Sequence, residues 1–309
     1  MQSKPQALSK SPQPIPLPSL KQMEKSVTKC QRAGTRQKNI PETNRKGDSW
    51  PLTSNCHPGT TTPVPPFPMS FNIPTKTMSC ILHIETSTDV CSVALSQDGV
   101  CLHEEINTNG RRHAEILAPF VEEAVSFADS HAIPLDAVSV SAGPGSYTGL
   151  RIGVSTAKGL CYGRDLKLIS IPTLKVLCTP ILLYREDIPD NALLCPMIDA
   201  RRMEVYTAIY DRALHEVVPT DAVIVNENSF AEILDKQPVF FFGNGADKCR
   251  DTLKHPNAHF IEGIVPKASN MLPLAERALA LNETEDVAYY EPFYLKQFVA
   301  GKSRNLLNG

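Results

Sequence analysis

Apolar residues are patterned along most of this chain but not at its start. Residues Ser79–Ile84 (SCILHI) and Val90–Ser96 (VCSVALS) read as strands, and Asp98-Gly99 is a hairpin signal leading into a third, Val100–Ile106. A helix is predicted over Arg112–Ser130, where Ile116, Leu117, Phe120, Val121, Ala124, Phe127 and Ala128 recur near the 3.6-residue period. Ala137–Ser141 predicts a buried strand that runs into a glycine-rich loop, GPGSYTG (Gly143–Gly149), and a helix ending near Tyr162. Leu166–Ser170 predicts another strand, with a helix starting at Pro172-Thr173.

A second unit follows. Ala192–Ile198 and Glu204–Tyr210 read as strands around a turn at Asp199–Arg202. Val223–Val225 predicts a short strand and Ser229–Leu234 a short helix. Val239–Phe242 predicts a buried strand ending in GNGADK (Gly243–Lys248), which is expected to open a helix. Ala268–Leu281 is the last predicted helix. The two units repeat loosely as strands in a hairpin, then helix, strand, helix. That layout implies an α/β fold with mixed sheets.

Composition divides the chain at the same place. Residues 1–77 hold 13 of the 26 prolines and a net charge of +8, whereas residues 78–309 carry −10. The first segment shows neither period and is expected to be a disordered, Pro-rich basic tail. Its charge suits nucleic acid or plain solvation, and a third reading makes Met78 the true start. The acidic folded part lacks the basic footprint of an autonomous tRNA binder. No apolar run is long enough to span a membrane. The nine cysteines include no C-x-x-C pair, as expected for reduced thiols in a cytoplasmic protein.

Candidate chemistry centres on the glycines. Gly143, Gly145 and Gly149, with Ser146 and Thr148, follow a strand and precede a helix, where backbone N–H groups can meet an anion. The spacing fits neither a Walker A loop nor G-x-G-x-x-G. Gly243 and Gly245 repeat the arrangement, so a nucleotide cleft between two halves is one reading and tight structural turns the other. Glu85, Thr86, Ser87 and Thr88 end the first strand, where the carboxylate and hydroxyls could orient a phosphate or a metal-bound water, or simply make capping and turn hydrogen bonds. His113 starts the first long helix, but Leu117 occupies i+4, so no divalent metal is expected there. Asp199 is the only strand-end aspartate placed to serve a kinase.

ILHIETST (Ile81–Thr88), RRHAEILAPFVEEA (Arg111–Ala124), SAGPGSYTGLRIGVSTAKGL (Ser141–Leu160), PMIDARRMEVY (Pro196–Tyr206) and EPFYLK (Glu291–Lys296) resemble the TsaB family, also called YeaZ. The resemblance implies a duplicated actin-like ATPase and sugar-kinase fold, with halves at 78–180 and 181–309. It implies a non-catalytic subunit that pairs with the catalytic paralogue TsaD, recruits the ATPase TsaE and reaches tRNA only through that complex. The product is N6-threonylcarbamoyladenosine at position 37 of tRNAs reading ANN codons. TsaD carries a metal-binding His-x-x-x-His where this chain has His113 and Leu117. The resemblance also implies homodimerisation of the free subunit, no required cofactor, and ATP or ADP at the subunit junction. The alternative is an independent kinase or glycoprotease-like peptidase of the same fold.

The first long helix carries more apolar residues than the ~100° stripe that one buried face needs. It is therefore expected to form the partner surface through His113, Leu117, Phe120, Val121, Ala124 and Phe127, with Arg151 and the helix Gly149–Tyr162 beside it.

Overall fold

The computed structural model describes residues 79–110 and 112–296. The tail 1–77, with the expectations placed on it, lies outside them. Ten strands and five α-helices follow one another as β1 (Cys80–Glu85), β2 (Cys91–Gln97), β3 (Val100–Asn107), α1 (His113–Ser130), β4 (Ala137–Gly143), α2 (Tyr147–Arg164), β5 (Lys167–Pro172) and α3 (Thr173–Tyr184). Then come β6 (Leu193–Asp199), β7 (Glu204–Tyr210), β8 (Glu216–Ile224), α4 (Ala231–Leu234), β9 (Val239–Phe242), β10 (Ala258–Ile261) and α5 (Leu272–Ala280).

The two sheets are copies in topology. The first runs β3-β2-β1-β4-β5 and the second β8-β7-β6-β9-β10. In each, the first three strands form antiparallel pairs and the last two pair in parallel. The expected duplicated α/β fold is present. The central strands are buried on both faces, so they read as nearly continuous apolar runs.

Alternate residues of β1 serve two cores. Leu82 and Ile84 meet Leu117, Ala124 and Val154 under α1 and α2, while Ile81 meets Val176, Met271 and Ala275 on the opposite face. The closing helices cross between halves. Leu174, Leu177 and Ile181 of α3 pack on β6 and β9 of the second sheet. Ala275 and Ala278 of α5 pack on the first.

The copies differ in their helices. α1 and α2 have 18 residues each. Their counterparts in the second half are the four-residue α4 and a three-residue 3-10 turn, Asp247–Cys249. The helix expected after GNGADK is thus corrected to a single tight turn. β8 is also longer than its predicted core, because its alternating exposed residues give no apolar run, and the short strand β10 carried no clear signal. Ala268–Met271 is a 3-10 turn leading into α5, so the last helix is shorter than predicted.

Seven described cysteines are free and all but Cys101 are buried. Burial, aided by Asp136 and Glu276, pushes the Cys80 thiol up to about 12, and burial does the same to Cys195. Among the described helices none is long and apolar enough to cross a membrane.

His83 is the buried polar centre of β1. Its Nδ1 and Nε2 lie 2.7 and 2.8 Å from the Ser139 and Ser96 hydroxyls, with no carboxylate to favour a charge. Burial lowers its pKa from the usual 6.5 to about 3. As pH falls, the unfolded chain takes the proton first. The stability from this group is complete above about 6.5 and is lost as pH falls toward 3. Replacing His83 with Gln should destabilise the protein at pH 8 in urea unfolding. At pH 5 the gap to the natural protein should narrow by about 2 kcal/mol. An unchanged gap would contradict a neutral buried ring.

Candidate functional site

The long helix α1 is held by one stripe. His113, Leu117, Val121, Ala124 and Ala128 are spaced three or four residues apart and all face the first sheet. Leu117 is 1 %, Val121 8 % and Ala124 0 % exposed, so these three belong to the chain's own core. Their placement on a surplus outer stripe is corrected. One face accommodates them because their spacing follows a single helical ridge. Ile116, Phe120 and Val125 stay partly exposed at its flank. Phe127 is turned toward β3, where its ring stacks on His103 at 5.6 Å. The His113 ring is also buried, with Nε2 3.2 Å from the Val90 carbonyl oxygen. Leu117 occupies i+4, so no second ligand faces this ring from the next turn.

The helix α2 lies beside it. Ser146 caps it, its hydroxyl accepting the Gly149 N–H at 3.3 Å. Arg164 in its last turn makes a two-pronged pair with Asp129 of α1, at 2.9 and 2.7 Å. The outer face carries Arg151, Ser155, Gly159, Tyr162 and Gly163, all exposed. Tyr162 is 87 % exposed, and a Cβ at Gly159 or Gly163 would meet nothing within 4 Å. Arg151 sits over the Tyr147 ring, 5.5 Å from its centre.

The glycines of GPGSYTG touch protein. A Cβ at Gly145 would lie 2.3 Å from the Ser87 carbonyl oxygen, and one at Gly149 2.1 Å from that of Thr86. The Ser146 N–H donates to Ser87 O at 2.6 Å, and the Thr86 hydroxyl donates to Gly149 O at 2.9 Å. Thr86 and Ser87 are fully buried by this contact. Of the proposed phosphate contacts, Ser146 and Thr148 remain exposed, whereas Gly143, Gly149, Thr86 and Ser87 do not. Those four are packed against protein. Gly243 and Gly245 repeat the device, with a Cβ 2.4 Å from Met197 O and 2.8 Å from the Ile198 carbonyl carbon. Gly143 and Gly243 share φ near +100°, a left-handed conformation that other residues resist.

The C-terminal motif EPFYLK straps this region. Phe293 N–H donates to Ala142 O at 2.8 Å, Tyr294 packs on Tyr147 at 4.8 Å, and Lys296 pairs with Glu204 of the second half. Asp199, the kinase candidate, pairs with Lys248, and its Oδ1 also accepts the Arg201 N–H at 3.0 Å.

Glu85 ends β1 beneath the glycine loop and is fully buried. Its Oε1 accepts the Ser87 N–H at 2.6 Å, while Oε2 is enclosed without a hydrogen-bond partner among the described residues. Burial, only partly offset by the Ser87 hydrogen bonds, raises its pKa from 4.5 to about 7. The sequence places this carboxylate with the Thr86 and Ser87 hydroxyls at the strand end, and the structure buries all three. The folded state holds the proton more tightly than the unfolded one. Its contribution is therefore complete below about 4.5 and lost as pH rises through 7. Glu85→Gln should gain about 2 to 3 kcal/mol on the natural protein between pH 5 and pH 8 in urea unfolding. A pH-independent difference would contradict a protonated Glu85.

Two glycines of α2 make a matched test of the close packing. A Cβ at Gly153 would lie 2.2 Å from the Thr86 hydroxyl oxygen, while that at Gly159 is free. Gly153→Ala should destabilise by about 1 to 3 kcal/mol. Gly159→Ala should stabilise by up to about 1 kcal/mol in the same thermal melts. Equal effects would contradict the contact.

The chain's similarities agree with this geometry. Residues 102–302 match a family model described as TsaD, tRNA N6-adenosine threonylcarbamoyltransferase. The tRNA threonylcarbamoyladenosine biosynthesis protein TsaB of Escherichia coli is 32% identical over 229 residues, covering 72% of this chain and 96% of that protein. The crystal structure of a Pseudomonas aeruginosa protein similar to peptidase YEAZ aligns with TM-score 0.61 and 27% identity, covering 71% of this chain and all of that one. A structure of YeaZ from the same organism aligns at TM-score 0.57, also with 27% identity and the same coverage. With so much of the fold shared, the chain belongs to the TsaB (YeaZ) family, within the wider family that the threonylcarbamoyltransferase model describes.

Proposed function

We propose that this chain is the non-catalytic scaffolding and activating subunit of the assembly that makes N6-threonylcarbamoyladenosine at position 37 of tRNAs reading ANN codons. It acts in the cytoplasm, pairs with catalytic TsaD and recruits TsaE. It meets tRNA only through that complex and forms a homodimer through the same face when alone. It requires no cofactor of its own, and ATP or ADP binds at the junction with TsaD.

The observation that carries this reading is the outer face of α1 and α2. Among the described residues, only the first half keeps two long helices at these positions. On α2, small exposed residues one turn apart, Ser155, Gly159 and Gly163, let another helix approach closely, and Tyr162 adds an aromatic anchor. Phe120 and Ile116 extend the apolar surface along α1. The buried His113 ring and Leu117 support the non-catalytic role, since that turn holds no pair of metal ligands. The names of the TsaB relatives support the pathway.

Substituting Arg for Gly159 tests the docking face without touching the core. Helix propensity favours the variant by nearly 1 kcal/mol, so it should melt at or above the natural temperature. Co-purification with TsaD should nonetheless weaken by roughly tenfold or more, because a long charged side chain blocks close helix approach. Undiminished association would remove α2 from the interface. ATP or peptide turnover by the purified chain alone would instead favour the independent enzyme.

A further inference from the structure

We propose that His103, Glu105 and Glu123 form a site for one divalent transition-metal ion, zinc in type, at the seam between β3 and α1. His103 and Glu105 are two residues apart on β3 and therefore share a face. They pair across from Leu95 and Val93, whose side chains join the core under α1. Glu123 comes from α1, one turn before Phe127, and the Phe127 ring stacks against His103. One potential ligand atom from each of the three residues lies within 4.8 Å of the other two.

Two further observations point to an ion. His103 Nε2 is enclosed, with no hydrogen-bond partner among the described residues, although its side chain is only 17 % exposed. It lies 3.7 Å from Glu105 Oε1. That is too long for a hydrogen bond. It is close to the ~3.3 Å between neighbouring ligands of a tetrahedral ion with bonds of about 2.0–2.1 Å. A metal would take up the idle nitrogen and neutralise two neighbouring carboxylates. An imidazole with carboxylates suits zinc and its neighbours, whereas calcium and magnesium take oxygen ligands alone. Three protein ligands leave a fourth position for water. The ion would fasten the edge strand β3 to the middle of α1. A strand pair spaced i, i+2 and a helix residue eighteen positions later form no recognisable ligand pattern, so nothing local in the sequence marks this site.

The test is zinc titration of the full chain against a chelating indicator, with thermal melts in parallel. His103→Gln and Glu123→Gln are compared with the natural protein. Glu123 is exposed, so its variant keeps the fold. The natural chain should bind one equivalent more than either variant, or bind that equivalent roughly tenfold or more tightly. Zinc should raise its melting temperature more than theirs. Cysteine binding elsewhere would be common to all three and cancel. Equal stoichiometry and equal thermal response would overturn the site. So would a cluster that responds to pH and not to zinc, which would identify a histidine–carboxylate ion pair.

Discussion

The close approach between the end of β1 and the start of α2 organises the first half of this protein. The Thr86 and Ser87 carbonyl oxygens occupy the space where side chains at Gly145 and Gly149 would stand, and the Thr86 hydroxyl does the same at Gly153. At Gly145 and Gly149 the lost side chain is replaced by contact between backbones, fixed by the hydrogen bonds of Ser146 N–H and the Thr86 hydroxyl. The second half uses the same device where Gly243 and Gly245 meet the end of β6. Duplicated strand order and duplicated glycine turns together describe one unit built twice.

That packing has consequences beyond stability. It seals Thr86, Ser87 and Glu85 beneath the loop, so the interior of the turn is packed with protein. The strap Glu291–Lys296 crosses the same loop and reaches Glu204, tying the second half to the first. With α3 and α5 each covering the other half's sheet, the halves share their cores. What stays open is the outside of α1 and α2, and the proposed subunit role rests on that surface.

Much of this was legible in the sequence. Strand alternation and the 3.6-residue period located most elements to within a few residues, and GPGSYTG located the turn. The errors have physical causes. Leu117, Val121 and Ala124 read as surplus apolar surface because composition counts residues, while burial depends on which ridge of the helix they share. GNGADK promised a helix because a glycine turn after a buried strand usually opens one, yet here only a 3-10 turn follows. The glycine spacing left two readings open, because one spacing serves both a phosphate and a neighbouring backbone. Contacts made across long separations in sequence, such as Gly145 with Ser87 or Glu123 with His103, leave no local pattern to read.

Hydrogen exchange of the backbone amides, with and without TsaD, tests the central claim most directly. New protection is expected in 113–130 and 147–164, strongest around Gly159, with the glycine loop already protected in the free chain. Protection confined to the second half, or a glycine loop that exchanges freely until nucleotide is added, would contradict it.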